Sequence, residues 1–292
     1  MEYKSTAELL SLAEKENTAI SEIVLKVEME ESELSRAEIE SRMMENLQVM
    51  RDAVERGINN KIESGGGLVG DEALKMQSFI NSNPIEKDNI YNTVISYALA
   101  VSEVNAGMGK IVAGPTAGAS GIVPAVVLAL AEKLELGDEQ IIKSLLTAGG
   151  LGYVVSRKAT LAGAAGGCQA ECGVASAMAA GAAVELRGGT PEMVVNAFSL
   201  ALKNMLGLVC DPVAGLVEVP CVKRNAAAAS HALSASTMAL AGIKSVIPAD
   251  EIIIAMTEIG DQLPSCLKET SKGGLAITPT ALKLREEIFD KK

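Results

Sequence analysis

Four of the five cysteines in this 292-residue chain lie in three short motifs rich in Gly, Ala or Pro. Cys168 lies in Gly-Gly-Cys-Gln-Ala-Glu-Cys-Gly, Cys210 begins Cys-Asp-Pro-Val-Ala-Gly-Leu, and Cys221 follows in Val-Pro-Cys-Val-Lys-Arg-Asn-Ala. Thiolates from three separate segments can hold three corners of an iron–sulfur cube and leave the fourth iron open for Lewis-acid chemistry. The alternative is that these are small buried apolar residues, since free cysteine is often buried. The chain has no Cys-x-x-Cys, so the common zinc and ferredoxin spacings are absent.

A fourth motif, Gly-Pro-Thr-Ala-Gly-Ala-Ser-Gly-Ile-Val-Pro, occupies residues 114–124, and Glu-Thr-Ser-Lys-Gly-Gly-Leu-Ala occupies residues 269–276. With these motifs and the cysteine motifs in this order, the chain resembles the alpha subunit of the iron–sulfur-dependent L-serine dehydratases (L-serine ammonia-lyases). The resemblance covers residues 90–280 well and the N-terminal third less sharply. It implies a cytoplasmic lyase that converts L-serine to pyruvate and ammonia, in amino-acid degradation and gluconeogenesis.

The resemblance also implies a 4Fe–4S cluster whose ligands are Cys168, Cys210 and Cys221. Cys168 is predicted at the start of a helix, where the helix dipole favours a thiolate. Cys172 lies four residues later and faces the same side, so stereochemistry alone does not exclude it as the ligand. The family pattern assigns Cys168, and we expect Cys172 to be a packed thiol. Cys266 matches no ligand motif of the family.

The loop at 114–121 offers the hydroxyls of Thr116 and Ser120 and several free backbone N–H groups before a helix, which together can bind a carboxylate. The alternative is an ordinary helix-entry loop, but the resemblance implies substrate contacts here. After the third cysteine, Arg224 could neutralise the cluster or pair with the substrate carboxylate, and Asn225 could hold the substrate. The competing interpretation is a helix start with solvated charges.

The residue that would take the α-proton of serine is the least defined part of the sequence. The weak candidates are Glu171, Lys158, Lys223 and the only histidine, His231, which lies on a predicted Ala-rich helix. A single histidine on such a helix is more often a core residue than a base. The chain has the length of the catalytic half of the family, so we expect a beta subunit in a hetero-oligomer, which could supply the base.

Other function classes compete with this prediction. Residues 64–68, Ser-Gly-Gly-Gly-Leu, look like the phosphate-cradling loop of pyridoxal-phosphate dehydratases, but no Ser-x-Lys motif lies at the right place upstream. A non-catalytic iron–sulfur sensor is a second alternative, although the polar loop and the open iron argue against it. A cysteine desulfidase or another α,β-eliminating lyase would share the same motifs.

Composition limits the partners and the compartment. The net charge of −11 and the 2% aromatic content disfavour nucleic acid, which needs clustered cations or stacking rings. The most apolar run, residues 111–130, is interrupted by Pro and Gly, which predicts no membrane span. The N-terminus does not look like a signal sequence, and five cysteines are an odd number, so we expect reduced thiols in the cytoplasm.

Apolar positions three and four residues apart recur almost throughout and predict an all-α fold. With no Trp and many Ala residues, the core must rely on helices that approach closely. We expect an N-terminal helical arm and linker at 1–88 and a cluster-binding catalytic core at 89–292. Asp138 is expected to cap a helix that stops at Gly149-Gly150. The other predicted helices are an amphipathic helix or pair in 5–57, 71–80, 88–106, 122–135, one from Pro191 to about Met205, and one beginning at Asp250.

Overall fold

The computed structural model describes residues 1–290, and within them it contains fourteen α-helices and no β-sheet. The all-α prediction is therefore confirmed; residues 291 and 292 of the predicted core lie outside the described residues. The helices are α1 (Thr6–Glu16), α2 (Ile20–Ser32), α3 (Arg36–Asn59), α4 (Glu72–Ser82), α5 (Pro84–Lys87), α6 (Ile90–Ala106), α7 (Ile122–Lys133), α8 (Asp138–Lys158), α9 (Gly163–Gly166), α10 (Val174–Leu186), α11 (Pro191–Lys203), α12 (Cys221–Leu240), α13 (Ala249–Gln262) and α14 (Pro279–Asp290).

Helix α10 forms the centre of the molecule. Nearly all of its residues are buried, and it packs against α7, α8, α11 and α12. Its Ala and Gly residues let the neighbours come close: a Cβ on Gly181 would lie 2.3 Å from Leu151 Cδ1 on α8. A helix that is apolar on all sides belongs in a core. This packing confirms the close helix approach expected from the composition.

The N-terminal helices lie on this core. Helix α2 packs on α8 and α3 on α6, and a Cβ on Gly57 of α3 would lie 2.5 Å from the Cα of Ala100 on α6. Helix α1 is attached to α13, where Asp250 accepts hydrogen bonds from Thr6 N (3.1 Å) and Thr6 Oγ1 (2.8 Å) at the start of α1. Buried residues on both sides of residue 88 contribute to one continuous apolar core, and the domain boundary there stays a prediction.

Local signals located most helices correctly. Thr190 Oγ1 accepts a hydrogen bond from Met193 N at 3.3 Å, as expected of an N-cap before Pro191. The predicted stop at Gly149-Gly150 is wrong, because α8 continues to Lys158. A Cβ on Gly150 would lie 2.3 Å from Val24 Cγ2, so packing against α2 requires glycine inside the helix and overrides its low helix propensity. Gly137, not Asp138, is the N-cap of α8.

Helix α7, which contains part of the most apolar run of the sequence, has only 12 residues. Across residues 1–290, no helix combines the length and the apolar character that crossing a bilayer would need.

Candidate active site

Cys168 lies on a sharp turn between α9 and a π-helical turn, Gln169–Gly173, that leads into α10. Gly167 before it has φ of 78°, and a Cβ there would lie 2.7 Å from Leu263 Cδ1, so only glycine fits. The buried Gln169 amide locks the turn: Nε2 donates to Gly166 O and Met256 O, and Oε1 accepts from Gly207 N, all at 2.9 Å. The structure of this turn therefore explains both neighbours of Cys168 in the Gly-Cys-Gln motif, Gly167 and Gln169.

Cys210 is held by a segment from near the C-terminus. Its N–H donates to Leu267 O at 2.9 Å, and its carbonyl accepts from Glu269 N at 2.7 Å. From the sequence, Asp211 is expected to be hydrogen-bonded or turned away from the cluster, or to organise the turn before Pro212. Its buried carboxylate accepts hydrogen bonds from Arg224 Nη2 (2.9 Å) and Leu275 N (2.7 Å). These hydrogen bonds compensate for the desolvation cost of burying the Asp211 carboxylate, because each of its two oxygens has a partner.

Cys221 begins α12, and Asn225 lies one turn further along the helix. The Asn225 Nδ2 group donates to Cys221 O (3.0 Å) and to Gly118 O (2.7 Å), and its Oδ1 accepts from Gly121 N (3.0 Å). Both of its N–H donors are thus bonded to backbone. Asn225 fastens the 114–121 loop to the helix that carries Cys221.

Arg224 supplies a positive charge beside the cysteines. Its Nη1 donates to Val209 O at 2.8 Å, and its Nη2 donates to Asp211. Burial acts to lower the pKa of Arg224, but the nearby Cys168 thiolate and Asp211 carboxylate outweigh it and raise that pKa. The guanidinium is therefore a permanent cation within electrostatic reach of Cys168 and Cys221.

Glu171 lies between the cysteines and the 114–121 loop. Its Oε1 accepts from Thr116 Oγ1 at 2.9 Å, and its Oε2 lies 3.9 Å from Cys210 Sγ. A Cβ on Gly163 would lie 2.2 Å from Glu171 Oε2 and 3.2 Å from Cys210 Sγ, so the bare glycine backbone makes room here. Burial raises the pKa of Glu171. Of the four base candidates, Glu171 is the one that the structure brings to the cysteines.

The other three candidates have partners elsewhere. His231 Nε2 lies 3.1 Å from Ala201 O on α11, which is the core role that a single histidine on such a helix predicts. Lys223 forms an ion pair with Glu72, and Lys158 forms one with Asp250 at 2.8 Å.

Two buried serine hydroxyls lie near the same loop. Ser120 Oγ and Ser102 Oγ have no hydrogen-bond partner among residues 1–290. Ser102, on α6, approaches the loop closely, because a Cβ on Gly121 would lie 2.5 Å from its Oγ. The sequence analysis identified Ser120 but not Ser102, which is one of several polar residues of α6 and belongs to none of the motifs.

The three motif thiols interact electrostatically. A hydrogen bond from Cys172 lowers the pKa of Cys168. Burial, then the Cys168 charge, raises the pKa of Cys221 to about 12, and burial raises that of Cys210 above its usual range. Within residues 1–290, no three His, Cys, Asp or Glu side chains have the spacing to hold one metal ion.

The residues nevertheless fit a cluster. A cube of irons and sulfides is wider than one ion, so its thiolates stand further apart than the ligands of a single metal. Soft thiolates are the donors that iron–sulfur clusters prefer, and irons deprotonate the thiols they bind. Cys168, Cys210 and Cys221 lie close enough for their charges to raise one another's pKa, and the positive charge of Arg224 lies near Cys168 and Cys221.

The glycine-rich loop at 64–68 is filled by the protein itself. Glu218, which is 2% exposed, accepts from Ser64 Oγ (2.9 Å), Leu68 N (2.9 Å) and Gly66 N (2.5 Å). A carboxylate therefore holds the position that a phosphate would need, and the loop does not act as the phosphate cradle of a pyridoxal-phosphate enzyme. Sequence reasoning missed Glu218, whose one signal is a lone acid among apolar residues and prolines.

Comparisons with known proteins agree on one family. A family model described as "Serine dehydratase alpha chain" matches residues 15–276. The chain is 50% identical over 287 residues to a "Probable L-serine dehydratase, alpha chain" of Bacillus subtilis, covering 98% of this chain and 95% of the relative. It is 40% identical to the "L-serine dehydratase, alpha chain" of Peptoniphilus asaccharolyticus, covering 97% of both. It is 39% identical to the longer "L-serine dehydratase TdcG" of Escherichia coli, covering 94% of this chain and 62% of the relative.

Proposed function

The chain belongs to the serine dehydratase alpha-chain family, and from that premise we propose that it converts L-serine to pyruvate and ammonia with a 4Fe–4S cluster held by Cys168, Cys210 and Cys221. The observation that carries the proposal is the meeting of three motif cysteines from three segments with Glu171 and Thr116. The longer relatives and the alpha-chain names support a separate beta subunit as the partner of this chain.

When bound, the cluster supplies an open iron that can act as a Lewis acid on the substrate hydroxyl. The chain's own residues have three further tasks. The 114–121 loop, with Thr116 and Ser120, binds and orients the substrate carboxylate through hydroxyl and backbone N–H groups. Arg224 adds a fixed positive charge that favours the carboxylate of the substrate. Asn225 acts indirectly, because its amide holds the loop rather than pointing free hydrogen bonds at a ligand.

We propose Glu171 as the group of this chain that receives the α-proton or holds the substrate ammonium. Its position carries this assignment, since its carboxylate contacts both the substrate loop and Cys210. Loss of the α-proton and of the hydroxyl gives an aminoacrylate, which tautomerises and hydrolyses to pyruvate and ammonia in water. If the beta subunit supplies the base instead, Glu171 keeps the ammonium-binding role.

The test is anaerobic reconstitution of the chain with iron and sulfide, followed by iron analysis, absorption spectroscopy and a pyruvate assay with and without the beta subunit. We expect a bound cluster in the chain alone and full turnover of L-serine only with the beta subunit. An active protein without iron would refute the cluster, and full activity of this chain alone would refute the need for a partner.

Substrate choice is decided in the same assay. L-Cysteine, with sulfide release as the readout, tests the desulfidase alternative.

The role of Glu171 is tested by substitution. Glu171→Gln should lower kcat for L-serine by about 100-fold or more while iron content stays normal, because the loss of a general acid or base lowers the rate by about this factor. His231→Gln is the matched control and should keep kcat within about twofold, since its side chain bonds to Ala201 O.

A further inference from the structure

A cavity of about 350 Å³ lies on a part of the molecule that carries none of the motif cysteines. Its walls come from α2, α3 and α8, with Tyr3 ahead of α1. The volume falls in the range of small-molecule sites, which are mostly apolar with a few polar groups. The apolar lining consists of Val24, Val27, Leu34, Ile39, Met43, Leu145 and Leu146.

Gly149 gives the first sign that this cavity has a ligand. It lies inside the 21-residue helix α8, where a glycine costs roughly 1 kcal/mol relative to alanine. Its neighbour Gly150 is required by packing, since a Cβ there would meet Val24 and Tyr3. A Cβ on Gly149 would meet nothing within 4 Å. The chain itself therefore gives no steric reason for Gly149, whose missing side chain keeps this wall of the cavity open.

The polar groups of the cavity give the second sign. The Tyr3 ring is 3% exposed, and the carboxylates of Glu28 and Glu31 lie near its hydroxyl. Burial, the neighbouring Tyr153 and these two carboxylates raise the pKa of Tyr3, so its hydroxyl stays a hydrogen-bond donor.

The charged side chains at the cavity, Glu28, Glu31 and Arg42, are exposed at its rim. None of the ion pairs formed within residues 1–290 includes Glu28, Glu31 or Arg42. Arg42 lines the same cavity as both glutamates and still does not pair with them. One cationic and two anionic side chains thus border an apolar space, an arrangement complementary to a zwitterion with an apolar side chain.

We propose that the cavity between α2, α3 and α8 binds a free α-amino acid with an aliphatic side chain. Arg42 receives the carboxylate, Glu28 and Glu31 receive the ammonium, and the aliphatic side chain fills the space beside Gly149. The site is separate from the cysteine site, so this assignment does not depend on the reaction proposed there.

The test is calorimetric titration of the full chain with L-leucine, beside two analogues that each lack one charge. We expect saturable binding of L-leucine and at least tenfold weaker binding of 4-methylpentanoate and of 3-methylbutylamine. Equal binding of either analogue would overturn the zwitterion assignment, and no binding of L-leucine at millimolar concentration would overturn the site.

Two variants test the site from opposite sides. Gly149→Leu fills the open space and should abolish L-leucine binding while raising the melting temperature, because leucine is a better helix former than glycine. Arg42→Gln should weaken binding at least tenfold. Arg36→Gln is the matched control: it removes an arginine of the same helix that pairs with Glu22 and does not line the cavity. Wild-type affinity in both Gly149→Leu and Arg42→Gln would refute the proposal.

Discussion

The cysteine segments and the N-terminal helices achieve order by opposite means. In the N-terminal helices α1 to α3, local sequence signals determine the structure. Ser35 and Glu38 form a complete capping box at the start of α3, and the buried faces of the helices are apolar. In those helices the left-handed residues, Asn17 and Glu33, are confined to helix ends, whereas around the cysteines they lie in loops, at Ala214, Glu269 and Ser271. Such residues cost about 1–2 kcal/mol each.

Buried polar side chains stabilise this irregular backbone, and each of them joins segments that are distant in the sequence. Gln169 bonds to three backbone groups, Asp211 ties Arg224 to Leu275, Asn225 ties α12 to the 114–121 loop, and Glu218 fills the 64–68 loop. An open cluster site needs bare backbone and free polar groups, which regular helices cannot present. Substitutions in the two regions should therefore fail differently: near the cysteines the bound cluster is lost, with or without a loss of stability, and in the N-terminal helices stability alone is lost.

The largest effect is expected from the cysteines themselves. Cys168→Ala, Cys210→Ala and Cys221→Ala should each abolish the cluster and lower turnover of L-serine by about 1,000-fold or more, because an iron loses its thiolate. The iron and sulfide content per chain measures the loss of the cluster, and pyruvate formation measures the loss of turnover. Cys172→Ala and Cys266→Ala are the matched controls and should keep both. Iron lost in Cys172→Ala but kept in Cys168→Ala would assign the first ligand to Cys172.

Gln169→Leu tests whether one buried amide orders the cysteine turn. The change leaves Gly166 O, Met256 O and Gly207 N without their partner, and each unsatisfied buried group costs about 1–3 kcal/mol. We expect a loss of about 3 kcal/mol in the free energy of unfolding and substoichiometric iron. Denaturation measures the change in the free energy of unfolding, and iron analysis measures the iron content. Full iron content in a destabilised Gln169→Leu would mean that the turn orders itself without the amide.

Ile23→Ala is the counterpart in the N-terminal helices. Ile23 on α2 is fully buried, and truncating such a residue costs about 2–5 kcal/mol through lost burial and a cavity. Urea denaturation should show this loss, while iron content and the absorption spectrum of the folded protein stay unchanged. A cluster lost at unchanged stability would show that α2 shapes the cysteine site after all.

The sequence predicted the helices that have local signals better than the contacts between residues far apart in the chain. Helices with local signals were predicted well, such as the one after Thr190 and Pro191. The Gly149-Gly150 stop was wrong because the reason for Gly150 lies in Val24 and Tyr3, more than a hundred positions away in the chain. Glu218 and the partners of Asp211 were not predicted for the same reason: only the folded chain brings the interacting residues together.

The smallest expected effect concerns pH, at Glu103 of α6, where the two regions meet. Its fully buried carboxyl accepts from Gly70 N, Glu72 N and Ala73 N, and Glu72 in turn pairs with Lys223 beside Cys221. Burial, then the hydrogen bond with Glu72, raises the pKa of Glu103 from 4.5 to about 7. The pKa of Glu72 is lowered, so Glu72 is ionised above pH 5 in both states.

Because the folded pKa of Glu103 lies above its unfolded value, the folded chain binds the proton more tightly, and this contribution to stability is lost as pH rises through about 7. Between pH 5 and 8 the free energy of unfolding of the wild type should fall by about 2 kcal/mol relative to Glu103→Gln. Urea denaturation across this range measures the slope. In Glu72→Gln, which removes the neighbouring charge, the fall should begin at lower pH. Equal slopes in wild type and Glu103→Gln would mean that Glu103 is already ionised in the fold, and that its backbone donors alone keep the charge stable.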